Sequence, residues 1–124
     1  LLDEPVYIFA DGIQIQQVLL NLIFNASQSM EKINTSNKII SISNYINNTD
    51  VIVSVSDRGK GIDEAEKNKL FKPFITTKKE GTGIGLVICR SIIENHYGKI
   101  WAENIPEGGA KFSFSLKIFN DGQD

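Results

Sequence analysis

The chain has 124 residues, 41% hydrophobic and 23% charged, with a formal net charge of −2. That is enough for one domain with a proper core, and the slightly acidic balance gives no electrostatic footing for nucleic acid, whose binders carry a basic surface. A single cysteine, Cys89, excludes an intrachain disulfide or cysteine metal cage and fits a reducing compartment, and no apolar run reaches the roughly 18 residues that a transmembrane helix needs. The chain opens at Leu1-Leu2-Asp3 without a methionine, so it is expected to be an excerpt of a longer protein.

Val6-Tyr-Ile-Phe-Ala10 alternates as a short strand, ended by Asp11-Gly12, a turn signal or helix start. From there to Met30, Ile15, Val18, Leu19, Leu22, Ile23 and Ala26 recur at three- and four-residue steps, which predicts an amphipathic helix. Gln17, Asn21, Asn25 and Gln28 follow the same steps on a neighbouring face. Asparagine is a poor helix former, so two of them one turn apart either line a solvated outer stripe or serve a site. Ile39–Ile46 and Val51–Ser56 read as an antiparallel hairpin across Asn47-Asn-Thr-Asp50. Asp63–Glu80 is charged and weakly periodic, with a short helix expected at Glu64–Leu70. Such a stretch in a compact domain reads as a functional lid. Its apolar anchors are Leu70, Phe71 and Phe74, few enough that disorder is expected somewhere within it when no ligand is bound. Gly81-Thr-Gly-Ile-Gly-Leu86 opens a second apolar-periodic helix that should stop near Gly98. Lys99–Glu103 and Ala110–Ile118 read as the last two strands, joined through Pro106-Glu-Gly-Gly109.

Three pieces of this chain suit a phosphorylated, hydrogen-bonding ligand. The Val51–Ser56 strand stops at Asp57-Arg-Gly59-Lys-Gly61, an acceptor beside backbone small enough for close approach, although a solvated turn would look the same. The Asp57 carboxylate can accept from an exocyclic amine such as that of adenine. An Asn side-chain oxygen is a hard ligand suited to Mg²⁺, which also takes phosphate oxygens and water. Gly81, Gly83 and Gly85 at a helix start expose free N–H groups for anions, and Lys78 adds a positive charge. The Walker pattern, the dinucleotide fingerprint and the protein-kinase catalytic loop are all absent.

Four motifs in order resemble those of the catalytic and ATP-binding domain of sensor histidine kinases, within the GHKL ATPase superfamily. Gln17-Val-Leu-Leu-Asn21-Leu-Ile-Phe-Asn25-Ala26 resembles the N box and Asp57-Arg-Gly-Lys-Gly61-Ile62 the G1 box. Phe71-Lys-Pro-Phe74-Ile-Thr-Thr-Lys78 resembles the F box, in the form typical of nitrogen-regulation and dicarboxylate-sensor kinases. Gly81-Thr82-Gly83-Ile84-Gly85-Leu86 resembles the G2 box. The resemblance implies a single domain with a Bergerat-type two-layer α/β sandwich, in which a mixed sheet of about five strands carries helices on one face. It implies ATP and Mg²⁺, with Asn25 on the metal, Asp57 on the adenine amino group beside Gly59, Gly61 and Ile62, and Asp63–Glu80 as the lid. Phe71, Thr76, Thr77 and Lys78 would approach the nucleotide from that lid, and the G2 residues would contact phosphates.

The partners implied are a dimerising helical hairpin carrying the phosphoacceptor histidine and, downstream, a response regulator; nucleic acid and direct membrane contact are not expected. In the superfamily's hydrolases the position of Asn21 carries a glutamate that activates water. An amide cannot act as a base at neutral pH, which favours phosphoryl transfer, although a purely structural hydrogen bond would equally explain Asn21. The only histidine, His96, stands at a predicted helix end and reads as a cap or packing residue. The chain alone is therefore expected not to autophosphorylate. A nucleotide-driven clamp or ATPase, and an anti-sigma-type serine kinase or regulator, are the competing readings. The chain departs from the family at His96-Tyr97-Gly98, where His-Gly-Gly is usual, at Ala110, at Leu116-Lys117 and at Gln28, where some relatives are basic.

Overall fold

The computed structural model describes residues 7–8, 10–33, 37–72 and 82–119, with residues 82–84 described for backbone alone. Helix α1 spans Gly12–Ser29. It starts where the sequence places a helix-start signal, because the Asp11 carboxylate accepts from the amides of Ile13 and Gln14 at 3.0 and 3.2 Å. Strands β1 (Ser41–Asn47) and β2 (Asp50–Ser56) form the expected antiparallel hairpin, with Asn48 at φ +59° in the turn. A 3-10 helix covers Glu64–Lys69, α2 covers Thr82–Asn95, and β3 (Ile100–Asn104) and β4 (Ala110–Lys117) follow.

The strands lie in the order β1-β2-β4-β3, and every pairing is antiparallel. This corrects the expected mixed sheet. β2 and β3 do run in the same direction, connected through α2, but β4 turns back from β3 and inserts between them. The expected fifth strand at Val6–Ala10 is also reduced: among the described residues it is a bridge between Ile8 and Ile118, with the Phe119 amide donating to the Tyr7 carbonyl. β3 already occupies the edge of β4 along Ala110–Phe114, which leaves only the end of that strand to pair.

The register turns Val51, Val55, Phe112, Phe114, Leu116 and Ala102 to one face, and both helices cover it. From α1 it meets Val18, Leu22 and Ala26, and from α2 Leu86, Cys89, Ile92 and Ile93. Ile15, Leu19 and Ile23 pack around the rim, so the whole predicted apolar face of α1 is used. On the other face the Ser54 and Ser113 hydroxyls, buried opposite each other, pair at 2.8 Å. Among the described residues no helix is long and apolar enough to cross a membrane.

The end of α2 explains one departure from the family pattern. The Gly98 amide reaches back to the Ile93 carbonyl at 2.9 Å and the Tyr97 amide to that of Glu94 at 3.0 Å, a Schellman closure. Its left-handed position, usually glycine, is held by Tyr97 at φ +63° with the ring 87% exposed. Tyr97→Gly is therefore expected to stabilise the domain by roughly 0.5–1 kcal/mol, the relief of left-handed strain outweighing glycine's added chain entropy. Urea unfolding checks this, and a lowered midpoint would contradict it.

Candidate functional site

Every third or fourth residue of α1 meets a different part of the site. Asn21 lies against Gly85, where a Cβ would meet the amide at 3.8 Å. Two turns on, Ser29 fills the space where a Gly59 side chain would be, and the Met30 sulfur accepts from the Arg58 amide at 3.3 Å. Asn25 stands midway between these contacts on the same face. It is buried. The distance along the helix from Asn21 to Ser29 is about 12 Å at the usual rise per residue, which separates the contact with α2 from the contact with the turn after β2. The asparagine stripe is thus not a solvated outer face; of its four residues only Gln17 is exposed. Gln28 adds a buried Oε1 that has no partner among the described residues.

Asp57 is the most informative side chain. It is 3% exposed, and its Oδ1 accepts from the amides of Gly59 at 2.8 Å and Ala110 at 3.3 Å. Its own amide donates to the Ala110 carbonyl at 2.9 Å. Oδ2 is buried and, among the described residues, has no hydrogen-bond partner. A buried acceptor without a donor is costly, and one held rigidly by its twin oxygen is preorganised for a donor from outside the chain.

The turn after Asp57 is held by contacts that sequence reasoning missed. Gly61 has φ +81°, as its glycine anticipates, and a Cβ there would lie 2.7 Å from Asn104 Oδ1. Asn104 Oδ1 accepts from the Ile62 amide at 2.7 Å, and its Nδ2 donates to the Ile62 carbonyl at 2.9 Å and to Glu64 Oε2 at 2.8 Å. Gly109, at φ +96°, lies where any side chain would strike the Asp57 carbonyl. Gly59, expected to make way for a ligand, makes way for Ser29. The only local signal for these residues is the Gly108-Gly109 doublet, because each contact joins segments dozens of residues apart.

The remaining candidates divide three ways. Phe71 packs edge-on against Phe112, centroids 6.2 Å apart, and Ile62 and Leu70 rest on the core beside it. The short helix expected at Glu64–Leu70 is present as the 3-10 helix, N-capped by Asp63. Thr82, Gly83, Ile84 and Gly85 form the first turn of α2, whose N–H groups lack intrahelical partners, whereas Leu86 is buried in the core. Phe74, Thr76, Thr77, Lys78 and Gly81, with the expected lid disorder beyond residue 72, lie outside the described residues.

Two reactive side chains are spoken for. Burial pushes the Cys89 thiol up to about 11, against the opposing pull of its hydrogen bonds with Asn21 and the backbone, so it carries no thiolate at neutral pH. His96 is engaged at both ring nitrogens, Nδ1 with the Ile92 carbonyl at 2.8 Å and Nε2 with the Asp11 amide at 3.1 Å. It therefore links the end of α2 to the cap of α1, the packing role expected of it. A cleft of about 450 Å³ lined by Ile39, Ser41, Ser56, Asp57, Arg58, Ile105, Glu107 and Gly108 includes no residue of α1, so it does not join Asp57 to Asn25.

Residues 10–120 match the family described as histidine kinase-, DNA gyrase B- and HSP90-like ATPases. The chain belongs to that family, and it is a catalytic domain of the sensor histidine kinase type. It is 44% identical over 113 residues to sensor histidine kinase TmoS of Ectopseudomonas mendocina, covering 90% of this chain and 12% of that protein. The nucleotide-free catalytic domain of histidine kinase ThkA superposes with a TM-score of 0.77 at 45% identity, over 89% of this chain and 70% of that one. Full-length ShkA, solved in complex with AMPPNP, shares the fold at a TM-score of 0.79 and 24% identity, over 96% of this chain and 24% of that one. The chain thus spans only a small part of such a full-length kinase, and these matches do not single out the nitrogen-regulation or dicarboxylate-sensor subtype.

Proposed function

We propose that this domain binds Mg-ATP between α1, the turn after β2 and the start of α2, and donates the γ-phosphate to a histidine on a separate helical hairpin of its parent protein. The observation that carries the proposal is the buried Oδ2 of Asp57, unpartnered among the described residues. Adenine's exocyclic amine supplies the missing donor, while Gly61 and Ile62 line the base side. Across the site, Gly83, Gly85 and the other first-turn amides of α2 receive phosphate oxygens, with Thr76, Thr77, Lys78, Gly81 and Thr82 assigned to the same end by family resemblance.

Asn25 fits Mg²⁺ by the chemistry of its donor. Among the described residues no group of three His, Cys, Asp or Glu side chains could hold a metal, so a single neutral oxygen ligand suits an ion that takes its other ligands from phosphates and water. Bound there, the ion neutralises charge on the triphosphate. The chain's own contribution is to hold the nucleotide in place, as expected of phosphoryl transfer, in which positioning and electrostatics dominate.

Asn21 fits transfer better than hydrolysis. Its amide is packed on Gly85, and it has no basic atom to activate water. His96 offers no free nitrogen for self-phosphorylation. This supports our reading that the acceptor lies on the dimerising hairpin of the parent protein, with an aspartate of a response regulator next in line, and that the domain acts on the cytoplasmic side.

The test combines calorimetric titration of an ATP analogue plus Mg²⁺ with labelling from γ-labelled ATP. Binding, negligible steady hydrolysis, no label on the chain alone, and label on an added kinase hairpin are expected. Steady turnover by the isolated chain would instead indicate a clamp or ATPase, and labelling of a partner's serine an anti-sigma-type kinase. A folded chain that does not bind ATP would end the nucleotide reading.

A further inference from the structure

We infer that Asn104, outside all four motifs, is a positioning residue for nucleotide binding: its side chain fixes the base-side turn by clamping the backbone of Ile62. The inference rests on the assignment of adenine to Asp57. Ile62 belongs to no strand, yet its N–H and C=O are both paired, at 2.7 and 2.9 Å, by one carboxamide that acts as a substitute for strand backbone. The second hydrogen of Nδ2 reaches Glu64 at 2.8 Å and ties the clamp to the first turn of the 3-10 helix.

The position of Asn104 in the sheet makes this consequential. It is the last residue of β3, paired in register with Ala110. Ala110 in turn accepts from the Asp57 amide at its carbonyl and donates its own N–H to Asp57 Oδ1. One cross-strand pair therefore holds both ends of the turn, Asp57 through Ala110 and Ile62 through Asn104. Gly61 brings the backbone so close to Asn104 that no Cβ would fit without displacing the amide. With both ends pinned, the backbone from Arg58 to Gly61 keeps a fixed distance from Asp57 Oδ2. Without Asn104 the Ile62 end is free to move away, and two buried or half-buried backbone groups must find water.

The experiment measures affinity for an ATP analogue and for ADP, with and without Mg²⁺, alongside thermal unfolding. The variants are wild type, Asp57→Asn, Asn104→Ala, Glu64→Gln and His96→Ala. Asn104→Ala is expected to weaken both nucleotides by about tenfold, equally with and without metal, because the lost anchor is at the base end. Hydrogen exchange at the Ile62 amide should accelerate in the same variant. Glu64→Gln leaves both Ile62 bonds intact and should bind within about twofold of wild type. His96→Ala breaks a bridge outside the site, so it controls for stability loss and should also bind normally. Should Asn104→Ala not fold, Asn104→Ser, which keeps one hydroxyl for Ile62, replaces it, with about a threefold loss expected. Asn104 variants that bind within twofold of wild type, or weaken no more than His96→Ala at matched stability, would overturn the positioning role. If wild type itself does not bind, the nucleotide reading fails; if wild type binds but Asp57→Asn loses nothing, the adenine assignment fails and takes this inference with it.

Discussion

Asp57→Asn is expected to weaken ATP binding by roughly ten- to a hundredfold, the worth of a hydrogen bond to a charged acceptor at about 1.5–3 kcal/mol. The geometry dictates which way the new amide must point. Oδ1 accepts from the Gly59 and Ala110 amides, so an Asn at this position keeps its oxygen there and turns its NH₂ into the place of Oδ2. That NH₂ would face the adenine amine donor to donor. The same NH₂ would suit a base bearing a carbonyl at that position, so the variant's preference should shift from ATP toward inosine triphosphate. Fold stability should change little, since an unpartnered acceptor is exchanged for an unpartnered donor. Titrating both nucleotides into wild type and variant checks the whole argument. An equal loss for the two bases would mean that Asp57 supports the turn without reading the base.

The parts of this site legible in sequence were those whose signal is local. Asp57 ends an alternating strand, Asn21 and Asn25 interrupt a good helix, and the G2 glycines open another; each is visible within a dozen residues, and the ordered set is what resembles the family. The reason for a residue was often less legible than its presence. Gly59 appears as an opening for ligand, whereas Ser29, at the far end of α1, fills that space. Asn104 looks like any polar strand end, because its partner Ile62 is 42 residues away. The mixed sheet failed for a related reason. The direction of β2 and β3 follows from the α2 connection, but the insertion of β4 between them is decided by pairing across the whole sheet. The closing turn of α2 is the converse case. There the departure from His-Gly-Gly was plain in the sequence, and the structure shows Tyr97 itself taking the left-handed position that glycine usually holds.

Gly109→Ala is expected to have the largest effect on the fold, and to reach the site through it. At φ +96° any L side chain is strained, by about 1–2 kcal/mol on the scale of left-handed residues. A methyl there would also collide with the Asp57 carbonyl, and it would lie 3.0 Å from the Arg58 Cα. Neither obstacle is a flexible side chain, so backbone must move, adding roughly 1–3 kcal/mol as overpacking does. Together these are a large fraction of the roughly 5–15 kcal/mol that holds an ordinary domain, and the melting temperature should fall by about 10 °C or more. Gly108 provides the internal comparison. Its φ is +120°, but nothing lies within 4 Å of an added Cβ, so Gly108→Ala should show conformational strain without the push on Asp57. Thermal unfolding of the two variants separates strain from collision, and ATP titration at a temperature where both are folded shows whether the collision reaches the base site. Gly109→Ala should bind ATP several-fold more weakly than Gly108→Ala, because displacing Asp57 breaks the geometry that leaves Oδ2 aimed at the ligand. Equal stability and equal affinity in the two variants would mean that the β3–β4 turn does not brace Asp57 in solution.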